Sequence, residues 1–250
     1  MSSLALQMWT VRKKAEVDLA ATLREVKATG LGAVETVHGM GGLSGKEMRQ
    51  QLEDAGLSAC SAHARLPEGD RREDMERLCR EVVDLGAPAL VVSSLPEEYF
   101  ADDESVARAA ERMNKAAPVA ASYGLELGYH NHWWEFGTDL GGRSAYEVFV
   151  ERLDPSIALE VDTYWAQVAG PDAAHLVASL GQRVHYLHVK DGPIERGSPQ
   201  CAVGQGRMDI PSVLAANPAV RWDIIELDEF DGEIFDAVRD SFAYLAPLAR

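Results

Sequence analysis

Short apolar segments alternate with amphipathic segments along the whole chain of 250 residues. Between the apolar segments, stretches such as LAATLREVKATG and MERLCREVVDLG have apolar residues three and four positions apart, which predicts helices. Glycine ends several of these stretches, as is typical of a helix that stops before a strand: Gly30, Gly56, Gly86 and Gly124. The apolar segments predict eight strands, at 4–11, 32–37, 57–66, 89–94, 125–132, 157–165, 184–191 and 222–228.

Eight strand–helix units in a chain of this length favour an α/β fold, a single (β/α)8 barrel or TIM barrel. An open doubly wound sheet is the alternative. Its first strand–helix turn usually carries a glycine-rich phosphate-binding loop, whereas the corresponding segment here, WTVRKKAEVDL, contains no glycine. No linker separates the units, so we predict one barrel domain over residues 1–250.

Composition limits the classes of function. The formal net charge of −16 argues against nucleic-acid binding, which needs clustered Lys and Arg. No apolar run approaches the ~20 residues of a membrane span, and the N-terminus lacks the features of a signal peptide. The three unevenly spaced cysteines fit a reduced protein without a disulfide framework. We therefore expect a cytoplasmic protein that binds neither nucleic acid nor membrane.

Five of the predicted strands end in side chains that can bind a metal ion. Because the C-terminal ends of barrel strands meet at one face, these side chains are expected to share one site. Side chains alternate along a strand, so His188 shares a face with Lys190, and Glu226 with Asp228. The five segments are SAHARL (61–66), LGYHNHWWEF (127–136), LEVDTYW (159–165), VHYLHVKD (184–191) and DIIELD (223–228).

The segments GYHNHWWEF, LEVDTYW, LHVKDG and IIELD, with the opening QMWTVR, resemble the sugar phosphate isomerase/epimerase group of xylose isomerase-like TIM barrels. That group includes tagatose-type ketose epimerases and inosose dehydratases, and the resemblance covers essentially the whole chain. It implies one divalent metal ion held by Glu, Asp, His and Glu. Carried onto this sequence, it places the ligands at Glu135, Asp162, His188 and Glu226. His130 or His132 is the alternative for the first ligand.

The resemblance also implies a reaction. Three carboxylates and one imidazole favour Mn²⁺, with Mg²⁺, Co²⁺, Fe²⁺ or Zn²⁺ as alternatives. The ion would polarise the carbonyl of a keto-sugar, free sugar or cyclitol and stabilise the enediolate formed when the neighbouring proton leaves. Glu135 and Glu226 are the expected acid and base of this metal-dependent isomerase or epimerase. The alternative is a metal-dependent dehydratase or lyase, of the inosose or dehydroshikimate dehydratase kind or one that cleaves 3-keto-glycosides by β-elimination.

Further residues near strand ends are candidate substrate contacts. An indole such as that of Trp9 can stack on the C–H face of a sugar. Glu35 is either a substrate contact or a partner that orients a ligand such as His188. We expect a small-molecule sugar or cyclitol as the substrate, and a homo-oligomer is possible because dimers and tetramers are common in related barrels. The candidate contacts are His63, His132, Lys190, Trp9 and Glu35.

Overall fold

In the computed structural model, residues 3–69 and 71–248 are described. Within them, eight parallel strands close into a barrel in chain order, and the last strand pairs with the first. The strands are β1 Ser3–Gln7, β2 Ala33–Val37, β3 Ser58–Ala64, β4 Ala89–Val92, β5 Glu126–His130, β6 Ala158–Asp162, β7 Val184–Val189 and β8 Trp222–Ile225. The prediction of a (β/α)8 barrel is confirmed.

Helices connect the strands. They are α1 Arg12–Val17, α2 Leu19–Ala28, α3 Gly45–Asp54, α4 Arg72–Leu85, α5 Asp103–Ser122, α6 Ala145–Arg152, α7 Thr163–Ala169, α8 Ala173–Leu180, α9 Ile210–Ala215 and α10 Ile234–Leu245. The four glycines predicted to end helices all have positive φ, between 71° and 106°. Within residues 3–69 and 71–248, no helix is long and apolar enough to cross a lipid bilayer.

Seven of the eight predicted strands run past their observed C-terminal ends, and in two of them a capping side chain explains the end. The strand predicted at 4–11 stops at Gln7, whose side chain accepts a hydrogen bond from the Trp9 amide (3.0 Å) and caps a 3-10 turn. The strand predicted at 157–165 stops at Asp162, whose carboxylate accepts the Trp165 amide (2.8 Å) and begins α7. In both cases a polar side chain bonds to the backbone two or three residues later, which strand alternation does not reveal.

The barrel interior changes from apolar to polar along the strands. Alternate residues of a strand share a face, so the next inward side chain above Ala33 is Glu35, and above Ala158 it is Glu160. A large core cluster fills the space around the barrel. A smaller, separate cluster forms what we term the barrel floor: Ala5, Ala33, Cys60, Ala89, Ala158, Tyr186 and Ile224.

Asp191 organises the segment that follows β7. Its buried carboxylate accepts four backbone N–H groups: Oδ1 those of Gly192 (2.8 Å) and Met208 (3.0 Å), and Oδ2 those of Gly204 (2.9 Å) and Gly206 (3.0 Å). A Cβ at Gly206 would overlap Asp191 Oδ1, so this position has room only for glycine. One carboxylate thus fixes the segment 192–208 at the C-terminal rim of the barrel.

Candidate active site at the C-terminal end of the barrel

His188, on β7, lies at the centre of a buried polar network. Its Nδ1 is 2.6 Å from Glu226 Oε2, and its Nε2 is 2.7 Å from Glu35 Oε1 and 2.9 Å from Glu160 Oε1. Burial alone would lower the pKa of this imidazole, but the carboxylates of Glu160 and Glu226 outweigh burial and raise the pKa well above its ordinary value. His188 is therefore protonated at neutral pH, and both ring nitrogens donate to carboxylates.

One carboxylate oxygen of Glu160, on β6, contacts three imidazoles. Besides His188, its Oε1 lies 2.5 Å from His63 Nε2 and 3.1 Å from His130 Nδ1. Burial would raise the pKa of this carboxyl, but the charges of His188 and His63 lower the pKa well below its usual range. The second oxygen, Oε2, is buried and has no hydrogen-bond partner among the described residues. Glu160 is thus an ionised carboxylate with one oxygen free to accept a further contact.

Glu35, on β2, lies beneath His188 and is wholly buried. Its carboxylate accepts hydrogen bonds from Gln7 Nε2 and Ser61 Oγ, each at 2.6 Å, in addition to the imidazole of His188. Burial and the negative charge of Glu160 raise its pKa. Glu35 therefore lies where it can orient His188, which is one of the two roles left open by the sequence.

Lys190, directly after β7, is 1% exposed and neutralises the upper part of the network. Its ammonium lies 2.8 Å from Asp162 Oδ2, 2.7 Å from Glu226 Oε2 and 2.6 Å from Asp228 Oδ2. Burial would lower the pKa of Lys190, but Asp162 and Asp228 raise the pKa well above its ordinary value. In turn, Lys190 and His188 overcome burial and hold the pKa of Glu226 well below its usual range. Both Lys190 and Glu226 are therefore charged at neutral pH.

Two overlapping groups of side chains can hold a metal ion. In each group the ligand atoms lie within 4.8 Å of one another and all the residues are buried. Burial and the positive charge of His188 keep the pKa of His130 well below its ordinary value, so His130 is neutral and its ring nitrogens can bind a metal. One group is His130, Asp162, His188 and Glu226, and the other is His63, His130, Glu160 and His188.

The structure places Glu135 outside both groups. The backbone leaves β5 at His130 and forms a short 3-10 turn at Trp134–Phe136. Within this turn Glu135 is wholly buried, and its carboxylate accepts the Tyr129 hydroxyl at 2.8 Å and the His132 amide at 2.9 Å. Asp162, His188 and Glu226, by contrast, come together as expected. In this geometry His130, one of the two alternatives for the first ligand, stands in the place expected for Glu135.

An open pocket of about 470 Å³ lies at the C-terminal ends of the strands. Of the predicted substrate contacts, Trp9, His63 and His132 line this pocket, and the Trp9 side of the wall is exposed. Glu35 and Lys190 are not part of its wall and lie within the network instead. The walls consist of Trp9, Val37, His38, His63, Ala64, Arg65, Ser93, Ser94, His130, His132, Glu226 and Asp228.

Sequence reasoning missed the contribution of two carboxylates. Glu160 shares a strand face with the predicted ligand Asp162, and it contacts three imidazoles. Asp228 shares a face with Glu226 and binds Lys190. The alternation of side chains along a strand was therefore the signal for both residues.

Solved structures of several proteins have the same architecture. A sugar phosphate isomerase/epimerase from Parabacteroides distasonis ATCC 8503 is 23% identical, with a TM-score of 0.85 over 100% of both chains. An L-ribulose 3-epimerase is 14% identical, with a TM-score of 0.72 over 99% of this chain and 94% of that one. The IOLI protein with a bound zinc atom is 13% identical, with a TM-score of 0.70 over 99% of this chain and 98% of that one. At these identities the likeness shows the fold alone.

A search of curated proteins found no match. The family model described as xylose isomerase-like TIM barrel matches residues 23–249, which is most of the chain. This match agrees with the closed barrel and with the resemblance noted in the strand-end segments. The protein therefore belongs to the xylose isomerase-like TIM barrel family.

Proposed function

We propose that the protein is a metal-dependent isomerase or epimerase that moves a proton next to the carbonyl of a keto-sugar, free sugar or cyclitol. The observation that carries this proposal is the convergence of two imidazoles and two carboxylates, all buried and within 4.8 Å of one another. Two of these residues, His130 and Glu226, also line the open pocket. The sugar isomerases and epimerases among similar structures support the same substrate class.

The ion would be held by His130, Asp162, His188 and Glu226. The donor set fits a divalent cation because two carboxylates offset its charge, and the buried Glu160 Oε2, which has no hydrogen-bond partner among the described residues, adds negative charge nearby. Two imidazoles suit Zn²⁺ or Fe²⁺ better than the three-carboxylate set did, which favoured Mn²⁺. When bound, the ion would polarise the substrate carbonyl and stabilise an enediolate.

We assign proton removal to Glu226. Its carboxylate lines the pocket from β8, and its lowered pKa keeps it ionised and able to accept a proton at neutral pH. Return of the proton is assigned to His132, which lines the same pocket from the segment after β5 and is partly exposed there. Glu135 is a poor choice for this role because both of its oxygens accept hydrogen bonds that hold the turn.

Two groups that reach the pocket from different sides of the barrel can act on the two faces of a sugar. Glu226 comes from β8 and His132 follows β5, with β6 and β7 between these strands. A proton removed on one face and returned on the other gives epimerisation. A proton returned to the neighbouring carbon gives aldose–ketose isomerisation.

Metal analysis followed by NMR of keto-sugars and inososes in D₂O tests the proposal. We expect deuterium at a carbon next to the carbonyl without loss of water, whereas an enone or deoxy-diketone product would establish the lyase alternative. Glu226→Gln and Asp162→Asn should abolish exchange. The matched control is Glu126→Gln, whose carboxylate also contacts an imidazole (His185 Nδ1, 2.9 Å) but at the start of β5, the opposite end of the barrel. Exchange that persists in both site variants would overturn the proposal.

A further inference from the structure

A second, larger cleft opens beside the pocket. It has a volume of about 980 Å³, and it shares Arg65 and Ser94 with the pocket, so the two spaces adjoin. The pocket alone, at about 470 Å³, lies in the lower half of the range for small-molecule sites, roughly 300–1,000 Å³. Together the two spaces are larger than a single sugar ring can fill. The combined shape therefore suits a longer substrate.

Two indoles form one wall of this cleft. Trp133 and Trp134 have ring centroids 4.9 Å apart and are nearly perpendicular, at 85°, so they present faces in two directions. Trp134 is also stacked on His132, with ring centroids 4.1 Å apart and planes 10° from parallel. An indole face suits the C–H surface of a sugar ring.

Arg65 stands where the pocket and the cleft meet. It directly follows β3 and is exposed, and no hydrogen bond or ion pair joins its guanidinium to any residue in the described ranges. Other cations of the cleft have partners: Arg112 donates to the Tyr99 hydroxyl at 3.0 Å, and Lys115 lies 2.9 Å from Glu111. In a chain with a formal charge of −16, carboxylates are plentiful, yet none of those in residues 3–69 and 71–248 pairs with Arg65. Its planar set of donors is open to a ligand.

We propose that the preferred substrate is a keto-sugar carrying a glycosidic substituent of about the size of a second sugar ring, and that this substituent lies in the cleft. Trp133 and Trp134 would contact its C–H surface, and Arg65 would donate hydrogen bonds to its oxygens. This inference rests on the proposed function and narrows its substrate class from single sugars to disaccharide-sized molecules. Arg65 is then the residue that determines specificity for the second ring.

Comparison of keto-disaccharides with the matching ketose tests the inference. Binding of lactulose, maltulose, isomaltulose and fructose is followed by NMR titration of the metal-loaded protein. At least one disaccharide should bind about tenfold more tightly than fructose. Arg65→Ala should remove most of this ratio, and Trp134→Phe, which keeps an aromatic ring of smaller area, should reduce it less. Arg24→Ala, a change to an exposed arginine on α2, is the matched control and should leave the ratio unchanged.

Equal affinities for fructose and all three disaccharides would overturn the inference, as would a ratio that Arg65→Ala leaves unchanged. These outcomes are separate from failure of the proposed function, because the binding ratio and deuterium exchange are measured in different experiments. Failure of the proposed function shows as no deuterium exchange in any sugar, whatever the binding ratio. Exchange in single sugars together with a binding ratio of one would keep the proposed function and remove only the second-ring site.

Discussion

The ammonium group of Lys190 lies 2.7 Å from the carboxylate of Glu226, one of the four candidate metal ligands. It also lies 2.8 Å from Asp162, a second candidate ligand. The contact with Lys190 lowers the pKa of Glu226 and so keeps this buried carboxylate ionised, as a metal ion requires of its ligands. For Asp162, burial raises the pKa, and Lys190 opposes that rise. The two contacts also place the positive ammonium group close to the position that the positive metal ion would occupy. Lys190 therefore prepares the ligands and at the same time opposes the ion electrostatically.

Replacement of Lys190 by methionine should strengthen metal binding. The variant removes the competing positive charge while keeping an unbranched side chain of similar length, so the Kd for Zn²⁺ should fall at least about tenfold, roughly 1.4 kcal/mol. Competition with a chromophoric chelator measures this Kd. Lys46→Met is the control, because Lys46 is exposed and its ammonium forms a long ion pair with Asp84, at 3.8 Å. Weaker binding by Lys190→Met would show that the ammonium supports the ligands more than it opposes the ion.

Metal affinity should rise with pH. The raised pKa of His188 means that its imidazole carries a proton in the metal-free protein at neutral pH, and the ion must displace that proton. The pKa of His130 is lowered, so this ligand has no proton to release. Loss of one proton predicts an affinity that rises about tenfold per pH unit below the raised pKa. Titration calorimetry in two buffers should detect the released proton, and a Kd that does not change with pH would contradict this role for His188.

The raised pKa of His188 has the opposite effect on the pH dependence of stability in the metal-free protein. A histidine whose pKa is raised by folding contributes stability that is complete below its ordinary pKa and is lost as the pH rises through the raised value. Metal-free protein should therefore lose this contribution on the alkaline side, while the metal-loaded protein becomes more stable there. Urea unfolding at several pH values, with and without Zn²⁺, measures both trends.

Variants of Glu135 and His130 distinguish two of the three candidates for the first ligand. Glu135→Gln should retain the metal and lose about 1–3 kcal/mol of stability, because the amide nitrogen cannot accept one of the two hydrogen bonds that the carboxylate accepts. His130→Ala should lose most of the metal. Elemental analysis of the dialysed variants, together with urea unfolding, gives both quantities. Metal lost from Glu135→Gln but kept by His130→Ala would restore Glu135 as the ligand.

Asp191→Ala should be among the most destabilising single changes at the C-terminal rim. It leaves four backbone N–H groups without their acceptor, and we expect a loss of at least about 3 kcal/mol in the free energy of unfolding. Asp209→Ala is the control from the same region. It removes a single cap at the start of α9, where the carboxylate accepts the Ser212 amide at 3.2 Å, and should cost about 1 kcal/mol. Similar losses in the two variants would contradict the role given to Asp191.

The alternation of side chains was sufficient to place Asp162 and His188 on the inward face, because each lies on a regular strand whose inward positions recur every second residue, and Glu226 follows directly after β8. It was insufficient for Glu135, because β5 ends at His130 and periodicity no longer applies in the following turn. That turn is held by a hydrogen bond from the Tyr129 hydroxyl, a contact made between positions six apart with no strand or helix period. The contacts between network residues on different strands, such as His63 with Glu160, depend on barrel closure and have no local signal.

The barrel floor has a consequence for the fate of a hydrogen atom. Small apolar side chains from several strands close the interior below the carboxylates and imidazoles, so exchange with bulk water must pass through the mouth that the substrate also uses. While a sugar occupies that mouth, a proton taken from its carbon stays among the buried acids and bases. An isotope taken from the substrate should then exchange with bulk water only after the sugar leaves. The packed floor would thus slow the exchange of the transferred hydrogen with bulk water.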